Sequence, residues 1–343
     1  MKYNQLGNSG ILVSELCMGT MSFGSSGYWS VVGSLGYEDS KRLVDIAIDS
    51  GINYFDSADV YSHGQSEDIL GKAVKDKRKD VIIATKVRGR MSKEINDVGL
   101  SRKHIIESCH NSLKRLGTDY IDHYVLHSYD PITPFEETIS TLDDLVSQGK
   151  IRYYGVSNFP AWQLMKFINT AEKNHWEKPV SLQAIYSLIS RDVEYELIPL
   201  CLDQKLAFTP WSPLGGGFLT GKYRKDKPMP EGARRTNEEQ NFIQIDPEKG
   251  YAIVDELEKI ANKHKASIAQ AALNYLLRKP GVTSVLIGAT KPHQLEDNIK
   301  TTTWEMDAED VKILDELTAL NPIYPYWMLQ FTAMDRANGD FFL

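Results

Sequence analysis

The sequence contains few cysteines, no long apolar run and no excess of positive charge. Its three cysteines, Cys17, Cys109 and Cys201, lie far apart and lack the CxxC spacing of a zinc ribbon. We therefore expect neither a metal site nor disulfides, and a reducing compartment. No run approaches the roughly 18 apolar residues that a membrane span requires, and the first residues lack the apolar core of a signal peptide. These absences predict a cytoplasmic protein without a membrane partner.

Negative charge exceeds positive charge. The 39 Lys and Arg residues and 46 Asp and Glu residues give a formal net charge of −7. Because nucleic acid is bound by a basic surface, we expect no nucleic-acid partner. The remaining composition, 42% hydrophobic and 25% charged, is that of an ordinary globular protein. We expect a single domain over residues 1–343, and the sequence defines no oligomeric state.

Short apolar strands alternate with amphipathic helices along most of the chain. A β-hairpin is predicted first, around the turn GNSG. Strands followed by helices are then predicted at residues 16–21, 53–56, 81–87, 122–127, 151–157, 181–187, 206–211 and 283–288. Such alternation produces a parallel sheet with right-handed crossovers. Eight units indicate an α/β fold of the closed (β/α)8 TIM barrel type, although an open doubly wound sheet has the same periodicity. We expect a C-terminal helical extension after residue 308.

Polar side chains stand at the carboxyl ends of several of these strands. The stretch NYFDSADVY places Asp56 and Tyr61 at the end of one strand, and the next two strands end at Lys86 and His127. In a barrel the carboxyl ends of the strands meet at one mouth, which carries the chemistry. The sequence therefore predicts that a carboxylate, a phenol, an ammonium and an imidazole converge there.

These four side chains suit proton delivery to a carbonyl. A free phenol titrates at about pH 10, and a neighbouring ammonium favours its ionised form, so we expect Lys86 to lower the pKa of Tyr61. Asp56 would hold Lys86 in place. A neutral His127 would donate a hydrogen bond to the substrate oxygen and orient it. The set contains no hydride source, metal or covalent nucleophile, so it implies a nicotinamide cofactor.

A second histidine, His123, precedes His127 by four residues. On a helix this spacing would indicate a metal pair, but on a strand it separates the two side chains by roughly 13 Å. We therefore expect no site that uses both. Asp56 or Tyr61 alone would more often be structural, and it is their combination with a lysine and a histidine at strand ends that predicts a catalytic site.

Several stretches together resemble the aldo-keto reductase superfamily, especially its long-chain members, which include potassium-channel β subunits and bacterial aldo/keto reductases. They are GINYFDSADVYSHGQSEDILGKA, IIATKV, RLGTDYIDHYVLHSYDP, LVSQGKIRYYGVSNF, LQAIYSLISR, TPWSPLGGGFLTGKY and IGATKPHQLEDNI. The resemblance implies a TIM barrel that binds NADPH without a Rossmann domain and reduces aldehydes or ketones. It places the family's catalytic tetrad on Asp56, Tyr61, Lys86 and His127, with Tyr61 as the general acid.

The same resemblance implies a set of cofactor contacts. Ser157, Asn158 and Gln183 match ligands of the nicotinamide carboxamide, and Trp211 matches an aromatic residue that stacks on the nicotinamide ring. Arg234 or Arg235 matches a clamp across the cofactor. The implied cofactor-binding residues are Gly19, Thr20, Met21, Asp56, Ser157, Asn158, Gln183, Trp211, Ser212, Pro213, Leu214, Gly216, Lys222, Arg234, Gly288, Thr290, Gln294, Asp297 and Asn298.

One position departs from the family pattern. Many reductases of the family have arginine where Gln294 stands, and a guanidinium binds a 2′-phosphate bidentately, which an amide cannot do. Lys291 offers a point charge instead. Some long-chain members, including the channel β subunits, also have glutamine there and bind NADP(H). We expect NADPH, with NADH left open.

Two further functions stay open at this point. One is a redox-sensing regulatory subunit that binds NADP(H) and turns over slowly, since channel β subunits keep the tetrad; the lack of a long N-terminal extension favours the enzyme. The other is oxidation or epimerisation of a sugar. The expected substrate is a small-molecule carbonyl compound, and the motifs do not identify it because the loops around the mouth set its shape.

Overall fold

Eight parallel strands form a ring in the computed structural model, which describes residues 1–27, 33–225, 228, 243 and 245–337. In chain order they are β3 (Leu16–Gly19), β4 (Tyr54–Asp56), β5 (Ile82–Val87), β6 (Ile121–Leu126), β7 (Ile151–Ser157), β8 (Ser181–Ile185), β9 (Ala207–Trp211) and β10 (Val285–Ile287). Consecutive strands from β3 to β9 pair in parallel, and β10 pairs with β3. A parallel bridge between Phe208 and Val282 closes the ring. The fold is the predicted (β/α)8 barrel, because an open sheet would leave β9 and β10 apart.

A hairpin covers the end of the barrel where the strands begin. Strands β1 (Tyr3–Gln5) and β2 (Leu12–Ser14) pair antiparallel, as the turn between them predicts. Leu6 and Val13 are fully buried, in a cluster that contains interior residues of the barrel such as Cys17. The hairpin therefore leaves the carboxyl ends of the strands free for the site.

Helices with one apolar face surround the strands. Helix α3 shows how their ends are fixed: Ser101 accepts a hydrogen bond from the backbone N–H of His104 at the start, and Gly117 adopts φ 63° at the end. The helices are α1 (Tyr37–Asp49), α2 (Gln65–Ala73), α3 (Arg102–Leu116), α4 (Phe135–Ser147), α5 (Ala161–Lys173), α6 (Leu197–Gln204), α7 (Pro247–His264), α8 (Ile268–Leu277), α9 (Pro292–Ile299), α10 (Ala308–Leu317) and α11 (Tyr326–Ala337).

Helices α10 and α11 form the predicted C-terminal extension. The aromatic tail is itself helical, because α11 begins at Tyr326. The Tyr326 ring stacks on Tyr195 with centroids 5.5 Å apart, and its hydroxyl donates to Glu196 at 3.0 Å. Tyr324 and Phe331 are 73% and 76% exposed. The tail is thus tied to the segment before α6 by one ring and exposes others.

Two helices begin away from the first residues that the sequence pattern predicts, which are Glu194 for α6 and Tyr251 for α7. Helix α7 begins at Pro247 because Asp246 accepts hydrogen bonds from the backbone N–H groups of Glu248 and Lys249 and proline suits the first helical position. Helix α6 begins three residues late because a short 3-10 turn, Asp192–Glu194, precedes it. Within the described part of the chain, no helix combines the length and the apolarity needed to cross a membrane.

Candidate active site

Asp56 and Tyr61 both leave the carboxyl end of β4, as predicted. Asp56 is the last residue of that strand, and Tyr61 opens a tight turn into α2. Ser62 and His63 have φ angles of 48° and 52°, which turn the chain from Tyr61 into α2. Asp56 and Tyr61 are only 2% and 7% exposed. Both side chains are therefore shielded from solvent at this end of the barrel.

Lys86 joins these two side chains from β5. Its side chain is fully buried, and its Nζ donates to Asp56 Oδ2 at 2.5 Å, to the carbonyl oxygen of Ser57 at 2.9 Å and to the hydroxyl oxygen of Tyr61 at 3.3 Å. An ammonium has three donors, and each has an acceptor here. The three side chains that the sequence places at neighbouring strand ends are therefore in direct contact.

Gln183 continues this network from β8 across the barrel. Its Nε2 donates to the second carboxylate oxygen of Asp56 at 2.9 Å. Asp56 thus has one oxygen on Lys86 and the other on Gln183. Its position is fixed from two sides of the mouth.

The buried charges shift the pKa values of this network. Burial opposes the positive charge of Lys86, but Asp56 and Tyr61 outweigh it and raise the pKa of Lys86. Burial raises the pKa of Tyr61, and Lys86 only partly opposes that rise. Lys86 lowers the pKa of Tyr61, as expected, but burial and the nearby Asp56 carboxylate outweigh the ammonium, so the pKa of Tyr61 lies above its ordinary value and not below it. Tyr61 is protonated at neutral pH.

His127 lies beside Tyr61 immediately after β6. Its backbone N–H donates to the carbonyl oxygen of Val87 at 2.8 Å, and its ring meets that of Tyr61 edge-on with centroids 5.8 Å apart. Burial, followed by the charges of Lys86 and Arg88, lowers the pKa of His127 to about 3. The imidazole is neutral, as expected, and so offers one N–H donor next to the phenol.

His123 belongs to a separate polar cluster deeper in the barrel. It is hydrogen-bonded through Nδ1 to Tyr54 at 2.8 Å and through Nε2 to Ser181 at 2.9 Å, and is 1% exposed. The sequence analysis missed this buried chain. The available signal was a polar residue on each of β4, β6 and β8 at positions that face the barrel interior.

The residues assigned to the nicotinamide end follow one another around the mouth. Asn158, with φ 55°, donates through Nδ2 to the carbonyl oxygen of His127 at 2.9 Å. Trp211 donates through Nε1 to Asn158 Oδ1 at 3.1 Å. Ser157 is 1% exposed and accepts from the Asn158 amide at 3.0 Å. A hydrogen-bonded belt therefore joins the ends of β6, β7 and β9.

The segment after β9 forms a glycine-rich cradle. The left-handed backbone begins at Ser212 and includes Gly215, Gly216 and Gly217, with φ angles of 54°, 57°, 65° and 87°. A Cβ on Gly216 would meet no atom within 4 Å, whereas one on Gly217 would lie 3.0 Å from Lys222 Nζ. The backbone N–H groups of Gly215, Gly216 and Gly217 donate within the turn, to Ser212 and Leu214, so the group that this segment offers an anion is the Lys222 ammonium. Pro213 is buried and Leu214 partly buried beside this cradle, and Arg234 and Arg235 lie outside the described residues.

Gln294 folds back onto the loop after β10. Its Oε1 accepts from the backbone N–H of Thr290 at 3.0 Å, from the Thr290 hydroxyl at 3.1 Å and from the backbone N–H of Lys291 at 3.2 Å. The loop therefore uses the side-chain oxygen of Gln294, and the amide nitrogen is the side-chain group that could donate to a ligand. Asn298 donates to the carbonyl oxygen of Gly288 at 3.5 Å, which ties α9 to the end of β10.

Two of the assigned residues already have structural partners. Asp297 accepts from Ser267 and from Gln270, each at 2.6 Å, and so anchors α9 to the start of α8. Thr20 is fully buried, and its hydroxyl lies 2.7 Å from that of Ser66 on α2. Gly19 and Met21, on either side of Thr20, are partly exposed at the strand end.

A buried acidic pair behind the site was also missed. Glu67 accepts from Thr85 at 2.5 Å and from Arg115 at 2.6 Å. Asp59 is fully buried, and neither of its carboxylate oxygens has a hydrogen-bond partner among the described residues. Burial, followed by the charge of Glu67, raises the pKa of Asp59 well above its usual value. Its position within DSADVY was visible in the sequence, but its burial was not.

The sequence is similar to a known family over most of its length. The family model described as the Aldo/keto reductase family matches residues 15–319. The chain is 35% identical over 352 residues to versiconal hemiacetal acetate reductase of Aspergillus parasiticus, with 95% of this chain and 99% of that protein covered. It is 34% identical over 334 residues to aldo-keto reductase YhdN of Bacillus subtilis, with coverages of 96% and 98%.

A relative with a different kind of name is equally similar. The chain is 36% identical over 331 residues to the Schizosaccharomyces pombe protein named "Putative voltage-gated potassium channel subunit beta", with 93% of each chain covered. The similarity therefore extends both to proteins named as reductases and to proteins named as channel subunits.

Proposed function

The chain belongs to the aldo/keto reductase family and is an oxidoreductase, and we propose that it reduces an aldehyde or ketone to the alcohol with NADPH. The observation that carries this proposal is the position of Lys86 Nζ, 2.5 Å from Asp56 and 3.3 Å from Tyr61. Beside these groups, the neutral ring of His127 contacts Tyr61. The mouth thus holds a protonated phenol, a fixed cation and a neutral imidazole.

Tyr61 is the proton donor in this proposal. Its hydroxyl is protonated because burial raises its pKa, so a proton is available as negative charge develops on the carbonyl oxygen. The proton moves from the Tyr61 hydroxyl to that oxygen and leaves a phenolate. Lys86, held by Asp56, stabilises the phenolate through its 3.3 Å contact. His127 donates a hydrogen bond to the same oxygen and fixes its position.

The residues that would hold NADPH form a continuous path around the mouth. When bound, the nicotinamide ring supplies the hydride that no side chain of the site contains. Ser157, Asn158 and Gln183 would bind the carboxamide, and Trp211 would face the ring. We assign the pyrophosphate to the cradle, because the backbone is open at Gly216 and the Lys222 ammonium lies beside Gly217. We also assign Ser212, Leu214, Gly288, Thr290 and Asn298 to this path.

Preference between NADPH and NADH depends on the loop of Gln294. Its amide oxygen is used three times by the loop itself, so it offers one nitrogen donor to the 2′-position of the cofactor. Lys291 is exposed beside it and supplies the positive charge that a 2′-phosphate needs. We therefore assign a moderate preference for NADPH, to be measured by titrating both cofactors against wild type and Gln294→Arg.

The proposal is tested by following NADPH absorbance with a panel of aldehydes, ketones and keto-sugars. We predict turnover by wild type and a loss of about 10²- to 10⁴-fold in kcat for Tyr61→Phe. Calorimetric binding of NADPH should stay unchanged, because only the hydroxyl is removed. Equal turnover in Tyr61→Phe would refute the assignment of the acid.

A second candidate function is an NADP(H)-binding regulatory subunit with slow turnover. It is supported by the similarity to the protein named as a potassium channel subunit beta. The same panel separates the two candidates. Tight NADPH binding with no turnover of any carbonyl would favour the regulatory subunit over the reductase.

A further inference from the structure

Arg88 lies at the mouth of the barrel, directly after β5. The carbonyl oxygen of its neighbour Val87 accepts from the backbone N–H of His127 at 2.8 Å. Lys86, on β5, precedes Arg88 by two residues. The backbone of Arg88 is therefore next to that of His127, at the end of the barrel where the proposed chemistry takes place.

Arg88 differs from the other shielded arginines because no carboxylate of the described residues forms an ion pair with it. It is partly buried, and its Nε is a buried donor without an acceptor among the described residues. The other buried or partly buried arginines in the described part of the chain all pair with carboxylates. These pairs are Arg78 with Asp122, Arg115 with Glu67, Arg191 with Glu194, Arg224 with Asp255, and Arg278 with Glu305.

The nearby carboxylate of Asp130 does not fill this gap. It accepts from the backbone N–H of Leu100 at 2.8 Å, from that of Ile132 at 3.0 Å and from the hydroxyl of Thr133 at 2.8 Å. No ion pair of the described residues joins it to Arg88. The Arg88 cation nevertheless lowers the pKa values of both Asp130 and His127, so its charge acts on the site as well as on the loop of Asp130.

The backbone holds Arg88 in an unusual position. Its φ is 131°, a value that residues with a side chain rarely adopt. The carbonyl oxygen of Arg88 accepts from the backbone N–H of Gly99 at 2.9 Å. The hydrogen bond therefore fixes the backbone of Arg88. Residues with strained backbone angles of this kind are common at ligand-binding sites.

We propose, on the basis of the carbonyl reduction proposed above, that Arg88 binds a carboxylate on the substrate. A guanidinium binds a carboxylate through two parallel hydrogen bonds, and this would supply the anionic partner that Arg88 lacks among the described residues. The charge of Lys86 is already neutralised by Asp56, so it does not compete. The substrate class is a carbonyl compound with a carboxylate on the same small molecule.

The overall charge of the protein makes this local cation important. The formal net charge is −7, which repels an anionic substrate at long range. A fixed positive charge at the mouth offsets that repulsion where the substrate binds. Attraction between two opposite charges at a partly exposed site also weakens with salt.

The test compares benzaldehydes that carry a carboxylate at the ortho, meta or para position with their methyl esters. For wild type we expect a higher kcat/KM for at least one acid than for its ester. In Arg88→Gln that ratio should fall about 10- to 100-fold, mainly through KM, because a hydrogen-bonded charge pair is lost. Turnover of the esters should be unchanged, and Arg88→Lys should be intermediate.

A matched control is Arg90→Gln, which removes the same charge two residues away. Arg90 is exposed and donates to the carbonyl oxygens of Ser92 and Glu94, so the acid-to-ester ratio should stay at the wild-type value. An unchanged ratio in Arg88→Gln would overturn the proposal. If Arg88→Gln does not fold, a wild-type ratio that does not fall with added salt would overturn it.

Failure of the carboxylate site can be told apart from failure of the proposed function. Turnover of acids and esters at equal efficiency by wild type would refute the carboxylate site and leave carbonyl reduction in place. No turnover of either, together with calorimetric binding of the acid to the NADPH-loaded protein that Arg88→Gln abolishes, would refute the reduction and keep the site.

Discussion

Tyr61 is a phenol that must keep its proton until a substrate needs it. Its surroundings favour this, because burial raises its pKa while Lys86 acts in the opposite direction. Lys86 in turn is held by Asp56, and Asp56 by Gln183. The site therefore keeps the Tyr61 hydroxyl protonated. It also holds the Lys86 ammonium next to that hydroxyl, where it would stabilise the phenolate.

We predict that kcat/KM for carbonyl reduction is constant through the neutral range and falls only at high pH. Tyr61 acts while protonated, and its pKa is raised above the ordinary value of 10, so activity is lost as the pH rises through that raised value. His127, with its pKa lowered to about 3, stays neutral and adds no titration near its ordinary value of about 6.5. The measurement is a pH profile of NADPH-dependent turnover.

Lys86→Met is the informative variant for this profile. Lys86 lowers the pKa of Tyr61 against the effect of burial, so its removal should move the alkaline fall to still higher pH and slow the reaction. A wild-type fall at about pH 7 to 8 would contradict the raised pKa and restore the expectation drawn from the sequence.

Strand β7 contains a glycine where the interior of the barrel is crowded. A Cβ on Gly155 would lie 2.1 Å from Ser181 Oγ and 2.6 Å from His123 Nε2. Because Gly155 has no side chain, there is space for the hydrogen-bonded side chains of Tyr54, His123 and Ser181 inside the barrel. Each of the strands β4, β6, β7 and β8 contributes one residue to this polar layer beneath the site, so a change on one strand affects the others.

We predict that Gly155→Ala destabilises the protein by about 1–3 kcal/mol, because an added methyl group must displace buried, hydrogen-bonded atoms. Urea unfolding measures the effect. Gly10→Ala is the control, since a Cβ there meets no atom within 4 Å. The loss caused by Gly155→Ala should be smaller in a Ser181→Ala background, which removes the nearest atom, and an equal loss in both backgrounds would contradict this account of the crowding.

The residues that close the barrel and the residues of the proposed site lie at opposite ends of the barrel axis. The hairpin of β1 and β2 seals the end where the strands begin, and Leu6 is fully buried there. The residues that the proposed reaction uses stand at the other end. This arrangement is the general one for barrels of this class.

We predict that Leu6→Ala lowers the free energy of unfolding by about 2–5 kcal/mol and leaves kcat/KM unchanged. Leu12→Ala is the matched control, because Leu12 is 57% exposed in the same hairpin and should cost little. Unfolding in urea and turnover would be measured on the same samples. Reduced turnover in folded Leu6→Ala would show that the two ends of the barrel are coupled.

The sequence predicts the barrel well because the periodicity of each strand and helix is local. The same is true of the convergence of Asp56, Tyr61, Lys86 and His127, since the topology brings strand ends together. The direction of the Tyr61 pKa could not be predicted, because it depends on how completely the folded barrel excludes water. The missing partner of Arg88 and the layer around His123 likewise depend on which side chains meet across the barrel.

The closure of the ring through β3 has a consequence for how the protein is made. Strand β3 pairs on one side with β4 and on the other with β10, Val285–Ile287. A ribosome releases the chain from its amino end, so the second partner of β3 emerges only after nearly the whole barrel has been synthesised. Until then the nascent sheet has an edge of unpaired N–H and C=O groups, which readily pairs with foreign strands. A chain that stalls before residue 285 therefore cannot close into a smaller barrel. Its open sheet edge must be protected from pairing with the strands of other proteins.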